Sequence, residues 1–291
     1  MRLNRSTYSK WYAMPAFLVY FLLFLFPSLL GMLFSLTNWN MMSETPKLIG
    51  LKNYVTIFSD ASMLRVFGNT IYYAVATSIG KGVFGLLLAL ALNHSFRSKN
   101  ALRTIFFVPM ILSNLIVGLV FQQIYHPTTG VLNGFLNAVG LGGLTRGWLI
   151  DPKTVMGAAA FMEIWKAAGF NMIIFLAGLQ GVSEDLYEAC AIDGANAWQK
   201  FYKVTLPCIM PSVVINMLLN VISGLKVFDA VFALTNGGPG RSSEVVNISI
   251  FREFSLGNYG YGTALNTVMF VALALISVIV IRFYTRDDEV A

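Results

Sequence analysis

From Tyr12 to Leu36 the chain runs without a single Asp, Glu, Lys or Arg, and from Thr104 onward the same holds for 42 residues. A helix needs about 20 consecutive, predominantly apolar residues to cross a bilayer, and these runs supply them. Four further stretches are nearly as free of charge. Asn69–Asn93 is interrupted only by Lys81, and Thr154–Leu179 carries Glu163 and Lys166. Cys208–Ala233 carries Lys226 and Asp229, and Thr263–Arg282 is uncharged until its end. Together with Tyr12–Leu36 and Thr104–Tyr125 these make six spans, and 291 residues leave no room for a large soluble catalytic domain besides. Composition agrees, with 56% of residues apolar and 12% charged, the latter about half of what a soluble domain carries. The expected fold class is therefore an all-α integral membrane protein with six transmembrane helices. An even number of spans puts both termini on one side.

Loop charges say which side. Arg2, Arg5 and Lys10 precede the first apolar run, as they would in a signal peptide. That run is too long for a signal h-region, and no small-x-small cleavage site follows, so it reads as an uncleaved span. Segments 1–11, 94–103, 183–207 and 282–291 hold ten Lys and Arg over 56 residues: Arg2, Arg5, Lys10, Arg97, Lys99, Arg103, Lys200, Lys203, Arg282 and Arg286. The opposite loops, 37–68, 126–153 and 235–262, hold seven over 88. Basic density is about twice as high on the terminal side, which is expected to be cytoplasmic. The net charge of +6 thus belongs to membrane topology rather than to nucleic acid. The expected organisation is a cytoplasmic N-terminus over 1–11, a six-span domain over 12–283 and a cytoplasmic tail over 284–291. Cys190 and Cys208 are too few for a disulfide scaffold or a zinc site, and read as small apolar fillers on the cytoplasmic side. His94 and His126 lie far apart in sequence. No nucleophile–base pair or metal-ligand spacing is visible, so the chain itself is not expected to be an enzyme.

The cytoplasmic segment 183–207 is unlike a connection. Ser183 is placed to cap a helix whose first turn carries Glu184 and Asp185, favourable at the positive end of the helix dipole. Leu186, Ala189, Cys190 and Asp193 fall on one face at i, i+3, i+4 and i+7, and Gly194 suits the helix end. Asn196 then caps a second helix with Trp198, Phe201, Tyr202 and Thr205 toward one face, which Pro207 is expected to end. Two readings compete. Trp198, Phe201, Lys200 and Lys203 suit an interfacial helix lying on lipid. The acids Glu184, Asp185, Glu188 and Asp193 argue against an anionic surface and for a helix seated in a groove of a cytoplasmic partner.

These residues also carry a resemblance. Glu188-Ala189-Cys190-Ala191-Ile192-Asp193-Gly194, then nine residues, then Val204-Thr205-Leu206-Pro207, resembles the E-A-A-x3-G-x9-I-x-L-P loop of permease subunits of ABC importers. Cys190 stands for the third Ala and Val204 for Ile, both close in volume. Ile192-Asp193-Gly194-Ala195, Leu206-Pro207-Cys208-Ile209-Met210-Pro211 and Phe228-Asp229 resemble the carbohydrate branch of those permeases. So do Leu234-Thr235-Asn236-Gly237-Gly238-Pro239-Gly240, Phe107-Val108-Pro109 and Gly130-Val131-Leu132-Asn133, so the likeness covers nearly the whole chain. It implies the type I importer permease fold, with the 183–207 loop as a coupling helix-turn-helix. It also implies a second, related permease subunit, two cytoplasmic ATPase subunits and an extracytoplasmic solute-binding protein. ATP and Mg belong on those partner subunits, and no cofactor is expected on this chain. Carried over for ATPase coupling are Glu188, Ala189, Asp193, Gly194, Leu206 and Pro207. The stretch Asn236–Gly240 lacks the Gly-Lys-Ser/Thr ending of a phosphate loop and reads as a tight outer-face turn where the binding protein docks.

Charges within a span each cost free energy and need a reason. Lys226 and Asp229 are three apart and are expected to pair, as are Glu163 and Lys166; Lys81 has no partner in its own span. Such pairs either stabilise the bundle or line a solute path. For a path, Asn114, Asn171, Asn216 and Asn220 offer hydrogen bonds, and Trp165, Phe170 and Phe228 offer aromatic faces to a sugar. The expected path residues are Lys226, Asp229, Phe228, Asn220, Trp165, Asn171 and Asn114. The expected function is ATP-driven import of a sugar, an oligosaccharide, across the cytoplasmic membrane of a prokaryote by alternating access. Alternatives are import of glycerol phosphate or another small polar solute on the same fold, with Lys226 meeting the anion, or an ATP-independent secondary carrier. A membrane enzyme would need acid or His clusters at the interface, and the sequence has none.

Overall fold

The computed structural model describes residues 10–43 and 45–287, so Arg2, Arg5 and Glu44 lie outside the described residues, as do residues 288–291. In chain order the main helices are α1 (Trp11–Phe34), α2 (Lys52–Ser59), α3 (Ala61–Asn93), α4 (Lys99–Ile111), α5 (Asn114–Ile124), α6 (Val131–Ala138) and α7 (Val155–Gln180). They continue as α8 (Glu184–Ile192), α9 (Ala197–Cys208), α10 (Met210–Leu225), α11 (Asp229–Thr235), α12 (Val246–Ser255) and α13 (Tyr259–Asp287). No strand forms among the described residues; one isolated bridge joins Thr37 and Leu48. Among the described residues four helices, α1, α3, α7 and α13, are long and apolar enough to cross a bilayer, and up to six when each of the bent pairs α4–α5 and α9–α10 is one span.

Two of the expected straight spans are broken, and each break has a local cause. The stretch Thr104–Tyr125 divides into α4 and α5, which meet at 99°. Pro109 removes a backbone donor near the end of α4, Leu112 and Ser113 are extended, and Ser113 Oγ accepts from the Leu115 N–H at 3.3 Å to start α5 afresh. The stretch Cys208–Ala233 divides after Leu225, and α11 restarts at Asp229. Nor does Pro207 end its helix: α9 runs on to Cys208, and the 69° bend into α10 falls at Ile209. Proline instead widens the helix behind it. The missing N–H of Pro27 leaves the carbonyl of Leu23 without its helical partner, and α1 opens into a π turn over Phe21–Leu25. Pro207 does the same to Lys203, within a π turn over Phe201–Thr205.

The chain forms two compact units. One holds the residues up to Ala61 together with Ser249–Ala272. There the Trp39 ring lies 4.5 Å from Phe34 and 5.0 Å from Tyr259, and the Gly260 N–H donates to Trp39 O at 2.7 Å. Asn53 Nδ2 closes the turn after α1 by donating to Ser35 O and Thr37 O at 2.8 and 2.9 Å.

The other unit, Ser62–Ile248 with the segment from Leu273, holds the candidate site. Here α4 packs along α7, α5 along α11, and α10 along α7. One apolar cluster joins Tyr73, Val117, Phe121, Met162, Val231 and Ile248, and a second joins Ala89, Leu92, Met172, Phe175, Leu179 and Ile209. The α4–α7 packing is close because Gly169 has no side chain: a Cβ there would run into the carbonyl oxygen of Phe106. Arg103 Nη2 donates to Leu92 O at 2.7 Å and so satisfies a carbonyl at the end of α3. At the opposite end, α11 stops at Asn236 in the left-handed region, with φ +50. The turn that follows is fastened by Ser243 Oγ donating to Gly238 O at 2.6 Å. Arg241 grips the buried Glu244 at 2.8 and 3.1 Å and Ser62 Oγ at 2.8 Å.

Candidate functional site

Segment 183–207 folds as two capped helices joined by a tight reversal. Ser183 Oγ accepts from the Asp185 N–H at 3.3 Å, opening α8. At its end Gly194 takes φ +74, the Gly194 N–H donates to Ala191 O at 3.1 Å and the Ala195 N–H to Cys190 O at 2.9 Å. This reversal needs a left-handed residue, and glycine adopts it without a Cβ clash. Asn196 and Gln199 then cap α9 reciprocally, each side chain accepting from the other's N–H at 2.9 Å. One tie was not evident from spacing: Tyr187 Oη and Thr205 Oγ1 lie 3.0 Å apart, with Thr205 buried, which joins α8 to α9.

Of the six residues singled out for coupling, Glu188, Ala189, Asp193, Gly194 and Pro207 are exposed and Leu206 is half-buried. Ile192, not among them, is an aliphatic side chain 87% exposed at the end of α8. Cys208 is exposed rather than packed, and Cys190 is half-buried.

Inside the spans the charges pair across helices, not along them. Glu163 and Lys166 do not pair with each other. Lys81, fully buried on α3, donates to Glu163 Oε1 at 3.5 Å and to Ser223 Oγ on α10 at 3.2 Å. Lys166, also buried, donates to Asn114 Oδ1 at the start of α5. Side chains three apart on α7 thus turn toward different neighbours, because a buried charge follows the nearest polar partner. Lys226 and Asp229 form no ion pair with each other or with any other described residue either. The helix breaks between them, leaving Lys226 at the C-terminal end of α10 and Asp229 in the first turn of α11, both exposed. Each charge sits at the helix end whose dipole favours it.

The expected path residues consequently fall into two groups. Asn171 and Asn220 are buried with Asn216: Asn220 Nδ2 donates to Asn171 Oδ1 and to Asn216 Oδ1, both at 2.6 Å, and Asn171 Nδ2 donates to Ala167 O at 2.8 Å. Their polar groups, like that of Asn114, are engaged within the bundle. Ser223, Lys226 and Asp229 are exposed, and Phe228 is half-buried with its ring stacked 5.0 Å from Phe232. Trp165 is exposed, 5.3 Å from Phe121. Ser223 lies three residues before Lys226, and a serine in an apolar run carries no signal of its own in the sequence.

Apolar spans with an ion pair buried between two of them, together with an exposed, doubly capped helix pair, define a polytopic membrane protein. Residues 81–287 match the family described as "Binding-protein-dependent transport system inner membrane component", and the chain belongs to that family. It is 32% identical over 277 residues to the probable starch degradation products transport system permease protein AmyD of Thermoanaerobacterium thermosulfurigenes, covering 95% of this chain and 93% of the relative. It is 31% identical over 269 residues to the multiple sugar-binding transport system permease protein MsmF of Streptococcus mutans, covering 91% of each. Among solved structures it resembles a chain of a bacterial ABC transporter that imports the acidic polysaccharide alginate, with a TM-score of 0.81, 27% identity and 94% of each chain covered. That transporter is also known in complex with an alginate-pentasaccharide-bound periplasmic protein, where the likeness has a TM-score of 0.79.

Proposed function

We propose that the chain imports a sugar, an oligosaccharide, by alternating access, as one of two related permease subunits served by an extracytoplasmic binding protein and two ATPase subunits. The single observation that carries this reading is likeness over more than nine-tenths of the chain to permeases named for multiple sugars and for starch degradation products. ATP and Mg act on the partner subunits, both termini are cytoplasmic, and α8 seats in a cleft of an ATPase. Glu188, Ala189, Asp193 and Gly194 form the docking face, and Leu206 and Pro207 pass its movement into α10.

The solute passes the exposed face formed by Ser223, Lys226, Phe228 and Asp229, with Trp165 as an aromatic surface. Asn114, Asn171 and Asn220 fix the wall from behind. Uptake of labelled malto-oligosaccharides into proteoliposomes carrying the chain with its partner subunits and binding protein tests the reading. Uptake should require ATP inside the compartment that holds the ATPases. Transport without ATP, or of glycerol phosphate in preference to every saccharide, overturns it.

A further inference from the structure

Where α3 and α7 end, at Asn93 and Gln180, they and the α8–α9 pair enclose an open cleft of about 1040 Å³. Its walls and its mouth differ in chemistry. Val83, Leu86, Leu87 and Leu90 recur at i, i+3, i+4 and i+7 on α3 and make one apolar stripe down the cleft, faced by Leu179, Trp198 and Phe201. The mouth carries Asn93, His94, Ser95, Glu184 and Lys200. Glu184 and Lys200 form no ion pair with each other or with any described residue.

The cleft is therefore apolar along α3, interrupted by Gln180 and by the Tyr187–Thr205 hydroxyl pair, and turns polar where α3 and α7 end. That is the depth of the lipid headgroups, and an apolar slot open to a bilayer fills with acyl chain rather than water. The mouth offers one cation and one carboxylate, both unpaired. This is the complement of a zwitterionic headgroup with one phosphate and one ammonium. An anionic headgroup would leave Glu184 uncompensated, and a quaternary amine has no N–H with which to reach it.

We propose that this cleft is a binding site for one glycerophospholipid with a primary-amine headgroup, phosphatidylethanolamine in class. Its phosphate faces Lys200, its ammonium faces Glu184, and an acyl chain lies along the α3 stripe. The site lies beside the helix pair and needs only that the chain be in a membrane, so it does not depend on which solute is carried.

The full chain, purified with the partners that accompany it, is placed in nanodiscs of phosphatidylethanolamine, phosphatidylglycerol and phosphatidylcholine in equal parts. Retained lipid is then counted by native mass spectrometry. The expected result is one phosphatidylethanolamine retained in excess over the other two. Lys200→Gln, which removes a charge-assisted contact, should lower that retention about tenfold. Glu184→Gln should keep a lipid but lose the choice between ethanolamine and glycerol headgroups. Leu87→Trp, which fills the slot, should expel the lipid of either kind. As a second measure, phosphatidylethanolamine brominated in its acyl chain should quench the fluorescence contributed by Trp198, taken as the difference from Trp198→Phe. Equal retention of all three lipids, retention unchanged in Lys200→Gln and Leu87→Trp, or no quenching of Trp198 because a protein partner fills the cleft, would each overturn the proposal.

Discussion

Lys81 sits on α3 with 2% of its side chain exposed, against a Glu163 that keeps 19%. Two opposite charges on neighbouring spans hold each other only while both are present. Removing one strands the other in a medium that cannot solvate it, which costs about 3 kcal/mol or more, whereas removing both leaves uncharged side chains of similar size at small cost. Lys81→Met and Glu163→Gln should therefore each lower the Tm of the detergent-purified protein, and the double variant should recover most of the loss. Equal losses that simply add would show that the pair carries no coupling. Glycines give a second contrast at the same scale. A methyl at Gly169 meets the Phe106 carbonyl oxygen, whereas one at Gly134 has nothing within 4 Å. Gly169→Ala should destabilise by about 1–3 kcal/mol, as overpacking does. Gly134→Ala, on a helix, should be neutral or slightly stabilising. Thermal unfolding of the two variants side by side checks both.

At the scale of elements, what was legible in the sequence was what is decided locally. Ser183, Gly194 and Asn196 fix the ends of α8 and α9 through bonds to residues two to five positions away, so their identity announces the helix pair. The pairing of charges was not legible. An i,i+3 spacing suggests Glu163 with Lys166, but the partners Lys81 and Asn114 come from 82 and 52 residues away, set by how helices pack. The breaks were hidden for a related reason: Pro109 is visible, yet the chain turns at Leu112 and Ser113, where an extended backbone and a new cap lie. The helix pair itself gives a sharp test. Proline at 194 cannot take φ +74 and would also delete the N–H that donates to Ala191 O. Gly194→Pro should leave the subunits assembled with ATP hydrolysis running while uptake is lost. Gly194→Ala, which bears only the left-handed penalty of about 1–2 kcal/mol, should retain partial uptake. Normal uptake by Gly194→Pro would remove the helix pair from the coupling route.

At the scale of the whole molecule, the density of Lys and Arg sets a direction across the membrane, and direction decides what each surface is for. In the orientation proposed above, Arg97, Lys99, Arg103, Lys200, Lys203 and Arg282 share the cytoplasmic side, which assigns α8 and α9 to the cytoplasm and the loop after α1 to the exterior. Two side chains report on this without touching the core: Ile192 is 87% exposed on α8 and Met42 is 95% exposed in that loop. In a chain whose Cys190 and Cys208 are replaced by Ser, Ile192→Cys should react with a membrane-impermeant maleimide only in inside-out vesicles. Met42→Cys should react only in intact cells. The same label also tests what the cytoplasmic surface serves. If α8 is the docking face, adding the ATPase subunits to stripped inside-out vesicles should slow labelling at Ile192→Cys and leave labelling at a cysteine placed at Arg97 unchanged. Labelling of Ile192→Cys from outside reverses the orientation, and labelling indifferent to the ATPase separates the exposed apolar end of α8 from the machinery that drives the transporter.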